Sequence, residues 1–148
     1  MPETLANYSI STDKEKLQLN VIHHYLAVES YWAKHIPLDI VKRSIENSFC
    51  FGIYFKDEQI GFARVITDHA IFAYLADVFI LEVHRGKGLS KWLMEFIMNH
   101  PKLQGLRVLS LRTKDAHGLY TQFGFKPIEK PENYMEIKHD NFYEQKNK

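Results

Sequence analysis

The run VFILEVHRGKGLSKWLMEFI at residues 78–97 constrains this chain more than any other part of it. It reads as a buried strand, a glycine-containing turn with positive charge, and the first turns of an amphipathic helix. A strand that enters a helix through such a turn leaves backbone N–H groups unpaired at the positive end of the helix dipole. Gly86 and Gly88 let this backbone approach a ligand closely, and Arg85 and Lys87 add positive charge. The turn is therefore a predicted site for a phosphate or pyrophosphate group.

Hydrophobic periodicity predicts one α/β (α+β) domain over residues 1–148, with a mixed central β-sheet flanked by helices. The run Thr12-Asp-Lys-Glu15 fits a capping box at the start of the first helix. The expected order, (β)-α-α-β-β-β-α-β-α-β, has a possible first strand at 8–10, helices at 13–28 and from 37, strands at 49–55, 60–67 and 74–81, a helix at 88–99, a strand at 108–111, a helix at 116–123 and a last strand at 134–138.

Composition limits the classes of partner and the compartment. Nineteen basic and eighteen acidic residues give a formal net charge of +1, which gives no indication of a nucleic-acid or membrane partner. The first residues lack a signal-peptide pattern, and the longest apolar stretch, 70–81, is too short to cross a bilayer. The single cysteine, Cys50, lies in an apolar context typical of a buried structural thiol. We therefore expect a cytoplasmic protein.

Two motifs, taken together, resemble those of one known superfamily. A Walker loop is absent, and Gly86-Lys-Gly88 lacks the third glycine of a dinucleotide fingerprint. The run Arg85-Gly-Lys-Gly-Leu-Ser90 resembles the [RQ]-x-x-G-x-[GA] motif of the GNAT superfamily of acyl-CoA-dependent N-acyltransferases. The run Ala116-His-Gly-Leu-Tyr-Thr-Gln-Phe-Gly-Phe125 resembles the second motif of that superfamily, A-x-x-L-Y-x-x-x-G-F. The preceding α-α-β-β order also matches.

The resemblance implies roles for particular positions and acetyl-CoA as co-substrate. Main-chain groups of the preceding strand would contact the pantetheine arm and the acyl carbonyl, and Tyr120 would protonate the departing thiolate. Ser90 stands where glycine or alanine is usual, and Thr113 stands where asparagine often precedes the second motif. The residues implied for the cofactor are Phe79, Ile80 and Leu81 on the strand, and Arg85, Gly86, Lys87, Gly88, Leu89 and Ser90 around the pyrophosphate.

Acyl transfer to an amine requires a neutral amine, stabilisation of the oxyanion, and a proton for the thiolate. Asp77 is an isolated carboxylate in an apolar strand and is the candidate general base. Its alternatives are Glu82, a water relay, or a purely structural Asp77 that bonds to its neighbours. For Tyr120 the alternative is a ring that packs in the core with its hydroxyl at the rim. The eight histidines show no spacing typical of a metal site, and we expect no catalytic metal.

The acceptor site is less constrained. Tyr31 and Trp32 lie in the connection SYWAKHIP, where they form either an aromatic wall for the acceptor or core packing. Arg64 and Asp68 either bind a charged acceptor or are ordinary exposed strand residues. The leading interpretation is an N-acetyltransferase for a primary amine of a small molecule or peptide. The alternative is a non-catalytic CoA-binding sensor or regulatory module of the same fold. A homodimer is expected because GNAT-like domains often pair.

Overall fold

The computed structural model describes residues 5–143, which contain a five-stranded sheet whose strands lie side by side in chain order. The first four strands pair antiparallel with one another, and the fifth runs parallel to the fourth. The predicted mixed sheet is therefore confirmed. The strands are β1 (Tyr8–Ser11), β2 (Phe49–Phe55), β3 (Glu58–Thr67), β4 (Phe72–Ile80) and β5 (Val108–Leu111).

Helices cover both faces of the sheet. The main helices are α1 (Leu19–His24), which continues as a π-helical turn (Tyr25–Glu29), α2 (Leu38–Glu46), α3 (Leu89–Met98) and α4 (His117–Thr121). Short 3₁₀ turns occur at Lys14–Lys16, Glu82–His84, Pro101–Leu103 and Pro131–Asn133. Within residues 5–143, none of the helices has both the length and the apolar character needed to span a bilayer.

The core has two halves because alternate strand residues point to opposite faces of the sheet. One half joins the sheet to α3, through buried residues that include Phe51, Val65 and Leu93. The other half joins the sheet to α1 and α2, through residues that include Ile22 and Phe62. The predicted stripe of α3 is confirmed except at one position. The pattern predicted that Phe96 is buried, but Phe96 is 38% exposed and Met94 is buried instead.

The predicted helix over 13–28 is wrong in its first turns. Asp13, and not Thr12, accepts a hydrogen bond from the Glu15 backbone N–H, and it caps only a 3₁₀ turn. The chain is then extended through Leu17. The backbone N–H of Gln18 donates to the Gln59 side chain, which belongs to β3, at 2.7 Å. This tertiary contact interrupts the helical pattern, so α1 begins at Leu19.

The predicted last strand over 134–138 is also wrong. Met135 and Ile137 are 92% and 91% exposed, and the segment does not join the sheet. Its Glu136 carboxylate bonds to the Arg112 guanidinium, which lies just beyond β5. A side-chain contact therefore replaces the backbone ladder that the alternating pattern of large residues predicted.

Candidate active site

Strand β4 is irregular at the place where it separates from β5. The segment 76–79 has one residue more than the part of β3 that it faces, which is a β-bulge. Asp77 lies in this bulge with a φ of 56°, in the left-handed region. The parallel pairing between β4 and β5 ends at Leu75 and Leu111, although β4 continues to Ile80. Main-chain groups of β4 beyond Leu75 therefore border a gap.

A cavity of about 790 Å³ lies at this separation. It is lined by β4, the segment after β5, the connection before α2, and residues 138–143. Five residues considered from the sequence meet there: Tyr31, Trp32, Arg64, Asp77 and Tyr120. A second groove of about 490 Å³ lies along α3 and contacts none of the predicted site residues. The larger cavity is therefore the candidate active site.

Tyr120 is presented to the cavity by α4. The hydroxyl of Thr113 accepts a hydrogen bond from the Ala116 backbone N–H at 3.0 Å and so stabilises the turn that enters this helix. The Tyr120 ring packs edge-to-face on Phe125 with 5.8 Å between centroids, and the residue is 8% exposed. Burial, followed by the neighbouring Tyr31 and Asp115, raises the pKa of Tyr120 to about 12. Its hydroxyl is therefore protonated at neutral pH.

Asp77 uses both of its carboxylate oxygens. Oδ1 accepts a hydrogen bond from Trp32 Nε1 at 2.9 Å, and Oδ2 accepts from Arg64 Nε at 2.8 Å. The Arg64 and Asp77 side chains are 15% and 11% exposed. Arg64 also donates through Nη1 to the Ser48 hydroxyl at 3.1 Å. Through Asp77, the connection that contains Trp32 is therefore linked to β3 and β4.

The loop before α3 has the backbone geometry of an anion site. Gly86 and Gly88 adopt φ values of 80° and 79°, which glycine reaches at little cost. No side chain within residues 5–143 caps α3. The first hydrogen bond within the helix runs from the backbone N–H of Trp92 to the Gly88 carbonyl at 3.0 Å. The backbone N–H groups of residues 89–91 therefore have no acceptor within the helix. Lys87 is exposed beside them.

Other residues predicted for the cofactor lie around this loop in different ways. The Arg85 side chain turns toward the protein: Nε donates to the Ile80 carbonyl and Nη2 to the Tyr25 hydroxyl, each at 2.9 Å. Phe79 and Ile80 have buried side chains, so they offer a ligand only their main chain. Leu89 is also buried, and only its backbone N–H is available. Residues 85–90 do not line the cavity. They follow β4 in the chain, and β4 does line it.

Comparison with known proteins decides the family. The sequence profile of the acetyltransferase (GNAT) domain matches residues 46–127. A Gibberella zeae protein, provisionally named an acetyltransferase, is 32% identical over 83% of this chain and 81% of its own length. The chain belongs to the GNAT acetyltransferase family. The resemblance predicted from the two motifs is thereby confirmed, and the protein is an acyltransferase enzyme of the GNAT type.

Solved structures of GNAT proteins share this fold. A Xanthomonas campestris protein provisionally assigned to the GNAT acetyltransferases is 50% identical, with a TM-score of 0.90 over 92% of this chain and 96% of that one. An Elizabethkingia anophelis GNAT acetyltransferase, solved with acetyl-CoA bound, is 15% identical, with a TM-score of 0.61 over 92% of this chain and 90% of that one. The second likeness extends to the fold alone.

Some residues of this GNAT site were not predicted. Arg64 is among the residues considered for the acceptor, but no local pattern marks its partnership with Asp77. No local pattern marks residues 138–143 either, and these line the cavity although they lie far from β4 in sequence. Asp68, considered for acceptor binding, instead accepts hydrogen bonds from three backbone N–H groups of its own turn, and these lower its pKa. No group of three His, Cys, Asp or Glu side chains in residues 5–143 is arranged to hold a metal.

Proposed function

We propose that this enzyme transfers an acetyl group from acetyl-CoA to a primary amine of a small molecule or peptide. The observation that carries the proposal is the cavity where β4 separates from β5. It is lined on one side by the buried, protonated Tyr120 and on another by the aromatic pair Tyr31 and Trp32. An acid for the leaving group and an apolar surface for an acceptor therefore border the same space.

The loop and the strand fit the two polar parts of coenzyme A. Backbone N–H groups from Gly86 to Ser90, at a turn and a helix start, suit a diphosphate, and Lys87 adds charge. A Cβ built on Gly88 would meet no protein atom within 4 Å, so the space above the loop is open. Main-chain groups of Phe79, Ile80 and Leu81 would pair with the amides of pantetheine, other than the Ile80 carbonyl, which accepts from Arg85, and the Leu81 N–H, which donates to Ile60. When bound, acetyl-CoA supplies the thioester that the amine attacks.

The proposed role of Tyr120 is that of general acid. Transfer forms a bond between the amine nitrogen and the acyl carbon and breaks the bond between that carbon and sulfur. The sulfur keeps the electron pair and takes the proton of the Tyr120 hydroxyl, while the amine gives a proton to water. Water then returns a proton to Tyr120, so charge and atoms balance. Burial holds the proton on Tyr120 until the thiolate forms.

Asp77 as general base stays a prediction, and its contacts argue for a different role. A general base must take the amine proton on a carboxylate oxygen in reach of the amine. Each oxygen of Asp77 already accepts one hydrogen bond, and one of the two donors is the positive Arg64, so a proton on Asp77 would compete with these partners. Protonation would weaken this buried ion pair. We therefore assign the amine proton to water, which was the relay considered from the sequence.

Three further expectations belong to the proposal. Tyr31 and Trp32, which are 51% and 41% exposed, would contact the acceptor. Their ring centroids lie 5.0 Å apart in an edge-to-face arrangement, a surface suited to an apolar or aromatic part of an amine. The homodimer and the cytoplasmic location stay predictions.

The test combines binding with turnover. Isothermal titration with coenzyme A should give saturable binding, and release of free thiol from acetyl-CoA should rise with one or more members of a panel of primary amines and peptides. Mass spectrometry should find the acceptor heavier by one acetyl group. Binding of coenzyme A without turnover on any acceptor would favour the non-catalytic sensor. Absence of binding would refute both functions.

A further inference from the structure

We propose that Trp32, Asp77 and Arg64 form a positioning array. This array couples the acceptor side of the cavity to the loop before α3 at residues 85–88, which is proposed to bind coenzyme A and is called the CoA loop below. This inference rests on the proposed function, because it concerns how the same cavity is held in shape. The three residues come from the connection before α2, from β4 and from β3. They are joined by two hydrogen bonds of 2.9 and 2.8 Å to the two oxygens of one carboxylate.

The array acts on the backbone at the place where β4 leaves β5. A left-handed conformation at a residue other than glycine is disfavoured, and it persists where surrounding contacts fix it. For Asp77 these contacts are the hydrogen bonds from Arg64 and Trp32. The Arg64 guanidinium is itself held by the Ser48 hydroxyl. Side chains from outside β4 therefore fix the bulge that opens the gap toward β5.

A second set of contacts, through Tyr25, links Trp32 to the CoA loop. Its ring lies 6.3 Å from the ring of Tyr25, which stacks on Phe79 of β4 at 4.0 Å and 9°. The Tyr25 hydroxyl accepts a hydrogen bond from Arg85, whose Nε holds the carbonyl of Ile80. Tyr25 begins the π-helical turn, a feature often found at functional sites. One acceptor-side tryptophan thus supports both the bulge and the start of the anion-binding loop.

The array predicts that Trp32 changes the affinity for coenzyme A without touching it. Trp32→Phe keeps an aromatic ring and removes the N–H donor to Asp77. Asp77→Asn keeps the side-chain size and tolerates the left-handed backbone, but its amide can no longer accept from both Arg64 and Trp32. Each variant loses one hydrogen bond of the array. We expect each to raise the dissociation constant for coenzyme A about fivefold.

The experiment is isothermal titration of coenzyme A into the parent, both single variants and the double variant. The remaining amide oxygen of Asp77→Asn should keep the bond from the charged Arg64, which is the stronger donor, so both substitutions then remove the bond between Trp32 and Asp77. The double variant should therefore bind no more weakly than the weaker single one. Tyr54→Phe, which deletes a buried hydroxyl on β2 away from the cavity, is the matched control and should keep the affinity of the parent. Arg64→Lys tests the array from β3, because an ammonium group lacks the planar fork that reaches both Asp77 and Ser48.

The pH profile separates positioning from base catalysis. If Asp77 positions β4, the kcat/KM profile of Asp77→Asn keeps the shape of the parent profile. Loss of its acid limb would instead identify Asp77 as the base and overturn the proposal. Unchanged affinity for coenzyme A in folded Trp32→Phe, or additive losses in the double variant, would also overturn it. A parent protein that binds no coenzyme A would refute the proposed function itself, which is a distinct result.

Discussion

Replacing Tyr120 by phenylalanine isolates one hydroxyl group. The ring would keep its edge-to-face contact with Phe125, and the residue is buried, so the substitution should leave the fold intact. What it removes is the proton that the proposed mechanism delivers to the sulfur. The size of the effect depends on how closely the proton affinities of the phenol and the thiolate match.

The interior of this protein raises the pKa of both a phenol and a thiol. Burial raises the pKa of Tyr120 to about 12. Cys50 shows what the interior of this protein does to a thiol, because burial raises its pKa to about 11. A CoA thiol that loses its water on binding would therefore move toward the proton affinity of the Tyr120 phenol. A thiol in water, with a pKa of about 8.5 for cysteine, would be a poor match for the phenol.

We therefore expect Tyr120→Phe to lower kcat about 100-fold, at the lower end of the usual contribution of a general acid. The KM for acetyl-CoA should change little, since the hydroxyl acts only as the carbon–sulfur bond breaks. Steady-state release of free thiol, measured with a saturating acceptor, checks both quantities. Thermal unfolding of the variant confirms that it is folded.

Tyr54→Phe is the matched control. Tyr54 is 5% exposed, burial raises its pKa to about 12, and its hydroxyl has no hydrogen-bond partner within residues 5–143. It lies on β2 and does not line the cavity. Its loss should leave kcat unchanged. A Tyr120→Phe enzyme with kcat within about twofold of the parent would show that the thiolate leaves without help, and the matching of proton affinities argued above would be wrong.

Three other predictions concern the loop, the core and a turn. Gly88→Ala and Gly105→Ala place a side chain at φ values of 79° and 74°, with open space around the Cβ, so both should lose about 1–2 kcal/mol of unfolding free energy. Only Gly88→Ala should also weaken coenzyme A binding in titration calorimetry, and equal binding by both variants would contradict the loop assignment. Cys50, which is 1% exposed with a raised pKa, should react with a thiol reagent only after denaturation. Rapid labelling of the native protein would disprove its burial. The backbone N–H groups of Ile71, Ala70 and Phe72 lower the pKa of the Asp68 carboxyl, so its stabilising effect is present above its unfolded pKa and is lost as pH falls through the folded one. Asp68→Ala should therefore lower stability at neutral pH more than at pH 2 in denaturant titrations, and an equal loss at both would exclude the ionised group as the cause.

The elements that the sequence predicted well are those set by local pattern. Strand β2 (Phe49–Phe55) and β5 (Val108–Leu111) have the predicted bounds, and α3 begins one residue after the predicted start. The errors occur where a distant residue decides the structure. The start of α1 depends on Gln59, which lies 41 residues away and holds the backbone of Gln18 in an extended conformation. The segment 134–138 has the alternation of a strand, yet a strand forms only where a neighbour pairs with it.

The difference between local patterns and contacts from distant residues also explains which parts of the site could be predicted from the sequence. The turn at Gly86 and Gly88 needs its glycines for local reasons, since both positions have positive φ, and so the motif is visible in the sequence. Asp77 also has a positive φ, but no local signal marks it, because the contacts that hold it come from Trp32 and Arg64. An isolated acid in an apolar strand therefore fits a base and a structural anchor equally well until its partners are known. In this chain the partners occupy both oxygens, and the residue that looked most like a base is better placed to hold the backbone of the site.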